Sequence, residues 1–401
     1  MDMEEVIKGL WVKNDRKILL IVMDGVGGLP VVDGKTELEA ATTPNLDGLA
    51  KKSVLGLSHP VGRGITPGSG PGHLGIFGYD PLKYEIGRGI LEALGVGVEV
   101  SSKDVAVRGN FATIENGKIV DRRAGRIPTE ENRKICAYLS ERVKEIDGIQ
   151  VFIYPGEEHR FVLILRGDEL YDEVEDADPQ ETGLPPKPAK AMTSRSELTA
   201  RIANRFIEIV TELLKDRHPA NTVLLRGFAR HPHLPSMEEL YGLKALGIAD
   251  YPMYRGLAKL VGMDVPHIEH GLDNEINLFK ELWGKYDFVY FHLKKTDSYG
   301  EDGNFNKKIS LIEEFDSRLP EILSVEPDVV AITGDHSTPS LLKSHSWHPV
   351  PLLLYSPYIR PDGTSRFTES EAARGGLGHL YAKEILPLLL ANALRLKKFG
   401  A

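Results

Sequence analysis

The sequence predicts an α/β protein, built on a mostly parallel sheet with helices on both faces and interrupted by a smaller α+β unit. Three observations lead there. Short, wholly apolar runs recur along the chain, as strands buried on both faces require. Amphipathic stretches of helical period lie between them. The middle of the chain breaks this alternation and reads as a unit of its own. We place the boundaries at 1–97, 98–235 and 236–401, with the outer two segments forming one domain.

The first run is Lys17-Ile-Leu-Leu-Ile-Val-Met-Asp24, closed by Gly25-Val-Gly-Gly28, and reads as a strand. Thr43-Pro44 before Asn45-Leu-Asp-Gly-Leu-Ala50 supplies an N-cap and a proline at the first helical position. In the middle unit, strands are expected near Ala106–Ile114 and Val151–Leu165. The Pro-, Asp- and Gly-rich stretch Asp176–Pro188 reads as a loop. A helix follows from about Ser196 to Lys215, with Leu198, Ile202, Ile209 and Leu213 on one face. The last segment has apolar runs at Asp287–Leu293, Asp328–Thr333 and Pro351–Ser356. Between them a helix over Lys307–Leu323 aligns Ile309, Leu311, Ile312, Phe315 and Leu319. No internal repeat interrupts the pattern.

With 401 residues, 41% hydrophobic and 27% charged, the chain has the profile of a folded two-domain protein. A net charge of −9 argues against a nucleic-acid surface, which needs a basic face. Cys136 is the single cysteine, so no internal disulfide forms and a reducing, cytoplasmic home is expected. The start, Met1-Asp2-Met3-Glu4-Glu5, is acidic where a secretory signal is basic. The most apolar stretch, Ile385 to Leu390, is interrupted by Pro387 and far too short to span a bilayer, so no membrane partner is expected.

Sites in α/β proteins gather at the carboxyl ends of the strands. Asp24 ends the first run, Asp297 follows the second, and Asp335-His336 follows Ala331-Ile-Thr333. His345 and His348 come just before the Pro351 run. Asp and Glu oxygens with His nitrogens form a ligand set for divalent cations. Taken singly, such an Asp is more often a turn or cap and such a His a satisfied neighbour. Their arriving together at the strand ends of one sheet is what points to a metal site. The segment Gly62-Arg-Gly-Ile-Thr-Pro-Gly-Ser69-Gly-Pro-Gly-His73 is the second feature. Its glycines let backbone N–H groups approach a phosphate, although a glycine-rich turn is the plain alternative. It is neither a P-loop nor a hydrolase elbow. Ser69 becomes a nucleophile only if something lowers its pKa, and a divalent cation does that. Arginines that grip carboxylate or phosphate are the third feature, with Arg160, Arg226, Arg230 and Arg255 as candidates. Arg122, Arg123 and Arg126 read as a solvated face.

Together these segments resemble cofactor-independent phosphoglycerate mutase, in its archaeal-type branch of the alkaline phosphatase superfamily. The matching residues run from Val22-Met-Asp24-Gly-Val-Gly-Gly and Ala41-Thr-Thr-Pro-Asn-Leu-Asp through Pro67-Gly-Ser69-Gly-Pro-Gly-His73-Leu, Gly78-Tyr-Asp-Pro and Gly87-Arg-Gly. They continue with Lys294-Lys-Thr-Asp297, Gly334-Asp335-His336-Ser-Thr-Pro and His345-Ser-Trp-His-Pro-Val-Pro.

The resemblance implies an alkaline-phosphatase-like domain with two divalent cations and a second domain that closes over a small phosphorylated acid. By that analogy Asp24, Ser69, Asp335 and His336 hold one cation, and Asp297, Glu301 and His345 the other. Ser69 takes the phosphoryl group from one hydroxyl of phosphoglycerate and returns it to its neighbour, with no need for 2,3-bisphosphoglycerate. Mn²⁺ or Mg²⁺ are the expected ions, with Zn²⁺ or Co²⁺ as further candidates. Glu301 stands where the family usually has histidine, which makes that site harder and more anionic. The same machinery would serve transfer to another small alcohol, such as homoserine, or to water.

Overall fold

The computed structural model describes residues 3–400, so the acidic start at Met1-Asp2 lies outside the described residues. Two compact units emerge. One is built from the chain up to Glu85 and again from Leu234 onward, and the other is Ile86–His233.

The first unit is built on a seven-stranded sheet. Its order is Ala245–Ile248, Phe288–Leu293, Ile18–Met23, Val329–Thr333, Val350–Tyr355, Val54–His59 and Gly378–Tyr381. All neighbours pair in parallel except Val350–Tyr355, which runs antiparallel to both of its partners. The Ile18–Met23 strand shows why the sequence reads as it does: all six side chains are fully buried. A strand covered by helices on both faces has no solvent side for polar residues. One of those helices, Phe305–Leu323, buries Ile312, Phe315 and Leu319 against Leu19, Ile21 and Val330. Each such side chain contributes about 1.5–3 kcal/mol. The same helix also buries Lys308, which the apolar pattern gives no reason to expect.

The second unit carries an antiparallel sheet in the order Thr222–Arg230, Asp104–Glu115, Arg160–Arg166, Ile149–Pro155, Glu145–Ile146. The expected strand region Val151–Leu165 is two strands joined as a hairpin, because Gly156 and the residues after it turn the chain back. Helices Thr129–Arg142 and Glu197–Leu214 pack on one face, against Val105, Val107, Phe111, Phe161, Leu163, Val223 and Leu225. The unit opens at Ile86 rather than at 98 because helix Arg88–Gly95 packs on its sheet. A Cβ on Gly89 would meet Ala106 O at 2.0 Å and Gly227 O at 2.6 Å. Among the described residues no helix is long and apolar enough to cross a membrane.

Candidate active site

Three adjacent parallel strands, Phe288–Leu293, Ile18–Met23 and Val329–Thr333, deliver their carboxyl ends to one edge of the sheet. Met23 pairs with Leu293 and Val22 with Thr333, so the segments that follow start level with one another. Asp24, Asp297, Asp335 and His336 lie in those segments, each with at most 2% of its surface exposed. His345 arrives on the loop that enters the antiparallel strand from the same side. Two groups of three side chains converge: Asp24 with Asp335 and His336, and Asp297 with His336 and His345. In each group the donor atoms lie within 4.8 Å of one another.

The imidazoles are oriented by their second nitrogens. His345 Nδ1 lies 3.0 Å from Pro67 O, and a carbonyl only accepts, so Nδ1 carries the hydrogen. The lone pair on His345 Nε2 then faces Asp297 Oδ1 at 3.6 Å and Glu301 Oε1 at 3.9 Å. By the same reasoning His73 donates from Nδ1 to Ser69 O at 2.9 Å, and Asp335 Oδ2 stands 3.1 Å from that nitrogen. Glu301 is the outlying member: its side chain is 55% exposed and it belongs to neither converging group.

Ser69 opens the helix Ser69–Ile76, with Gly68 as its N-cap. The glycine-rich stretch is therefore helical from Ser69 onward rather than a turn throughout. Close packing explains the glycines: a Cβ on Gly72 would stand 2.4 Å from Asp335 O. The helix can press on the Asp335 loop only because that side chain is missing. Ser69 Oγ lies 3.4 Å from His336 Nε2 and accepts from Tyr254 OH at 3.4 Å. Pro71 has no N–H and Gly72 N–H bonds Gly68 O at 3.0 Å, which leaves the N–H groups of Ser69 and Gly70 to give this helix N-terminus its partial positive charge beside the hydroxyl, favourable to an anion.

Neither oxygen of buried Asp24 has a hydrogen-bond partner, nor does Asp335 Oδ2. Yet cations and imidazoles crowd them: Lys294 Nζ is 3.2 Å from Asp24 Oδ2, His292 Nε2 3.4 Å, and His336 Nε2 3.3 Å from Oδ1. These neighbours compensate the Asp24 charge, but none makes a hydrogen bond of good geometry, so lone pairs of both oxygens stay available to a ligand. A divalent cation could take up those lone pairs, and the donor set of carboxylate, hydroxyl and imidazole fits one.

Burial by itself would raise the Asp24 carboxyl, but His292, Lys294 and His336 hold it well below the usual range. Burial and the neighbouring Asp24 charge push Asp335 up to about 7. Two like charges in one dry site cannot both ionise freely until a cation joins them. Burial also lowers His73 to about 4, and His336 and His292 are lowered by the same cause.

The second unit offers a different surface. Residues alternate across its strands, so Arg108 and Asn110, Arg226, and Arg160 point away from the helix-covered core. Arg108 and Arg226 are direct cross-strand partners, and Asn110 pairs with Arg160. Arg108 bonds Glu92 at 3.0 Å and Arg226 lies 3.5 Å from Asp178. The Nε atoms of Arg108 and Arg226 and the Oδ1 of Asn110 are buried without a hydrogen bond. Burial pulls Arg108 down despite Glu92, and the charges of Arg160, Arg88 and Arg226 pull the same way. Three arginines on one sheet face, with Arg88 on the adjoining helix, outnumber the carboxylates of Glu92 and Asp178 beside them and offer a surface for anions.

A family profile described as 2,3-bisphosphoglycerate-independent phosphoglycerate mutase matches residues 50–221. A probable 2,3-bisphosphoglycerate-independent phosphoglycerate mutase of Aquifex aeolicus is 58% identical, over 99% of this chain and 100% of its own. The chain belongs to that family. A second such relative, from Thermus thermophilus, is 57% identical over the full length of both chains. Among solved structures, PH0037 of Pyrococcus horikoshii superposes with a TM-score of 0.81 at 34% identity, covering 97% of this chain and 100% of its own. The cofactor-independent phosphoglycerate mutase of Thermoplasma acidophilum gives 0.77 at 31% identity, covering 94% and 100%.

Among the candidate arginines of this phosphoglycerate mutase family member, Arg160 and Arg226 share one sheet face and the others do not. Arg230 follows an irregularity between Arg226 and Ala229, which turns it to the opposite face. It bonds Ser102 O at 3.2 Å and lies over the Tyr171 ring at 5.0 Å. Arg255 is half-buried on helix Pro252–Leu260 of the first unit, beside Tyr254. Arg122 is no solvated side chain: it clamps buried Asp178 with bonds of 2.9 and 2.7 Å. His348 bonds Ser346 Oγ at 3.0 Å and joins neither converging group. Lys294, His292, His73, Tyr254, Arg88 and Arg108 were not singled out from the sequence. Lys294, His73 and Arg88 lie inside motifs that carried the resemblance, which was the available signal. Tyr254 and His292 are stacked with centroids 3.9 Å apart, a contact between segments far apart in the chain.

Proposed function

We propose that this chain interconverts 3-phosphoglycerate and 2-phosphoglycerate through a phosphoserine at Ser69. One observation carries the reading: both oxygens of Asp24 and the Oδ2 of Asp335, buried and without a hydrogen bond, face His336, whose Nε2 is 3.4 Å from the Ser69 hydroxyl at a helix N-terminus. Asp24, Ser69, Asp335 and His336 would hold one divalent cation, and Asp297, His345 and Glu301 the other. Such ions supply Lewis-acid charge that acidifies the serine and neutralises phosphoryl oxygens.

Ser69 Oγ attacks phosphorus as the ester bond to one glycerate hydroxyl breaks, and that oxygen leaves as an alcohol after gaining a proton. The neighbouring hydroxyl then attacks phosphoserine and frees Ser69, so atoms and charge balance over the cycle. Lys294 Nζ, close to both Asp24 and Asp297, places a cation where a transferring phosphoryl group gathers charge. The stacked rings of Tyr254 and His292 line the buried side and exclude water, favouring transfer over hydrolysis. The arginine face of Ile86–His233 supplies recognition of the anionic acid, with Arg160, Arg226 and Arg108 as its centre.

The test is conversion of 3-phosphoglycerate with added Mn²⁺ and no bisphosphoglycerate, followed by ³¹P NMR. The expected result is robust turnover that Ser69→Ala abolishes without unfolding the chain. Full activity in Ser69→Ala would refute the covalent mechanism. No turnover in folded, metal-loaded chain would redirect the reading to another acceptor, tested next with homoserine and ATP.

A further inference from the structure

The Thr338 hydroxyl, on a residue with no exposed surface, lies 2.7 Å from Asp297 Oδ1 and 2.9 Å from His336 Nδ1. A hydroxyl has one hydrogen. An ionised carboxylate only accepts, so that hydrogen goes to Asp297. The oxygen then has only lone pairs left for His336, whose Nδ1 must carry a hydrogen and donate it. In a neutral imidazole the lone pair sits on the other nitrogen. That nitrogen, Nε2, faces Asp335 Oδ2 at 3.2 Å, Asp24 Oδ1 at 3.3 Å and Ser69 Oγ at 3.4 Å.

We propose that Thr338 is a positioning residue that fixes His336 as a ligand through Nε2 alone and couples the two metal sites. The coupling runs from His336 Nδ1 through Thr338 Oγ1 to Asp297 Oδ1. This inference rests on the two-cation reading of the site. It also resolves the double placement of His336, which stands in both converging groups: its Nδ1 is 4.0 Å from Asp297 but is committed to Thr338.

Thr338 is itself held in place. Its N–H donates to Gly27 O at 3.0 Å and Gly25 O at 3.2 Å. Its carbonyl accepts from Lys308 Nζ at 2.9 Å, and the same ammonium donates to Gly25 O at 2.9 Å. Lys308 is fully buried, with Glu37 4.0 Å away as counter-charge. A Cβ on Gly25 would stand 2.6 Å from Thr338 Oγ1, so the loop after Asp24 can lie this close only as glycine. The hydroxyl therefore has one address, between a ligand of each set.

Calorimetric titration of the full chain with Mn²⁺ tests this, comparing wild type, Thr338→Val and Thr338→Ser. Removing an outer-shell partner of a ligand weakens binding roughly 10–100-fold. Thr338→Val is expected to weaken both sites by at least about tenfold, and Thr338→Ser to restore them. In addition, Asp297→Asn should weaken the Asp24–Asp335–His336 site in wild type but not in the Thr338→Val background. Loss at one site only, or a fall in thermal stability with both affinities intact, would overturn the coupling. Nitrogen-15 NMR of the Mg²⁺-loaded chain should find hydrogen on His336 Nδ1, and its absence there would overturn the assignment even if Thr338→Val fails to fold. A chain that shows coupled Mn²⁺ sites yet does not convert phosphoglycerate keeps this inference and removes the mutase reading. A chain that binds no second ion removes both.

Discussion

Glu275 lies in helix Leu272–Leu282 with 6% of its surface exposed. Burial, followed by the charge of Asp250, pushes its carboxyl up to about 8 from an ordinary 4.5, although the Asp250 N–H donates to it. The sign follows from proton counting. Unfolded Glu275 loses its proton near 4.5, while folded Glu275 keeps it until about 8, so the folded state binds more protons in between. Stability therefore falls as pH rises through that window and levels off above it. The difference of 3.5 (8 minus 4.5) corresponds to roughly 5 kcal/mol as an upper limit, and about 3–5 kcal/mol is the expected range. Glu275→Gln keeps an acceptor for the Asp250 N–H but has no proton to lose. Urea unfolding in chelator at pH 5 and pH 8.5, which spans most of that window, should show the variant gaining about 3–4 kcal/mol on wild type between the two. A constant difference between the proteins at both pH values would refute the argument. His270, which reaches Asp250 from solvent, belongs to both proteins and cancels in the comparison.

Three further outcomes follow from the same geometry. Gly72→Ala places a methyl 2.4 Å from Asp335 O, so it should cost about 1–3 kcal/mol and weaken Mn²⁺ binding, read by calorimetry. Lys308→Met leaves Glu37 and the carbonyls of Gly25 and Thr338 without their cation, and a loss of about 3–5 kcal/mol is expected in thermal unfolding. Arg160→Met, on an exposed side chain, should leave Tm within about 2 °C of wild type while raising KM for phosphoglycerate, measured in the turnover assay.

Local physics made much of the molecule readable from the sequence. A strand buried on both faces must be apolar throughout, so Ile18–Met23 declares itself. A helix packed on one side must repeat its apolar residues, so Phe305–Leu323 does too. Residues after parallel strands share an edge by topology, which is why Asp24, Asp297 and Asp335 could be grouped before any coordinates. What stayed hidden depends on distance across space. Lys308 looks like any surface lysine until the carbonyls of Gly25, Gly27 and Thr338 are assembled around it. The face on which an arginine sits turns on one irregularity, which separates Arg230 from Arg226 although four positions part them in the chain. Glu301, four residues after Asp297, reads as a ligand only by the family resemblance, and its helix leaves the side chain 55% exposed. The pairing of Thr338 with both Asp297 and His336 exists only because two strand ends meet, and no periodicity records that.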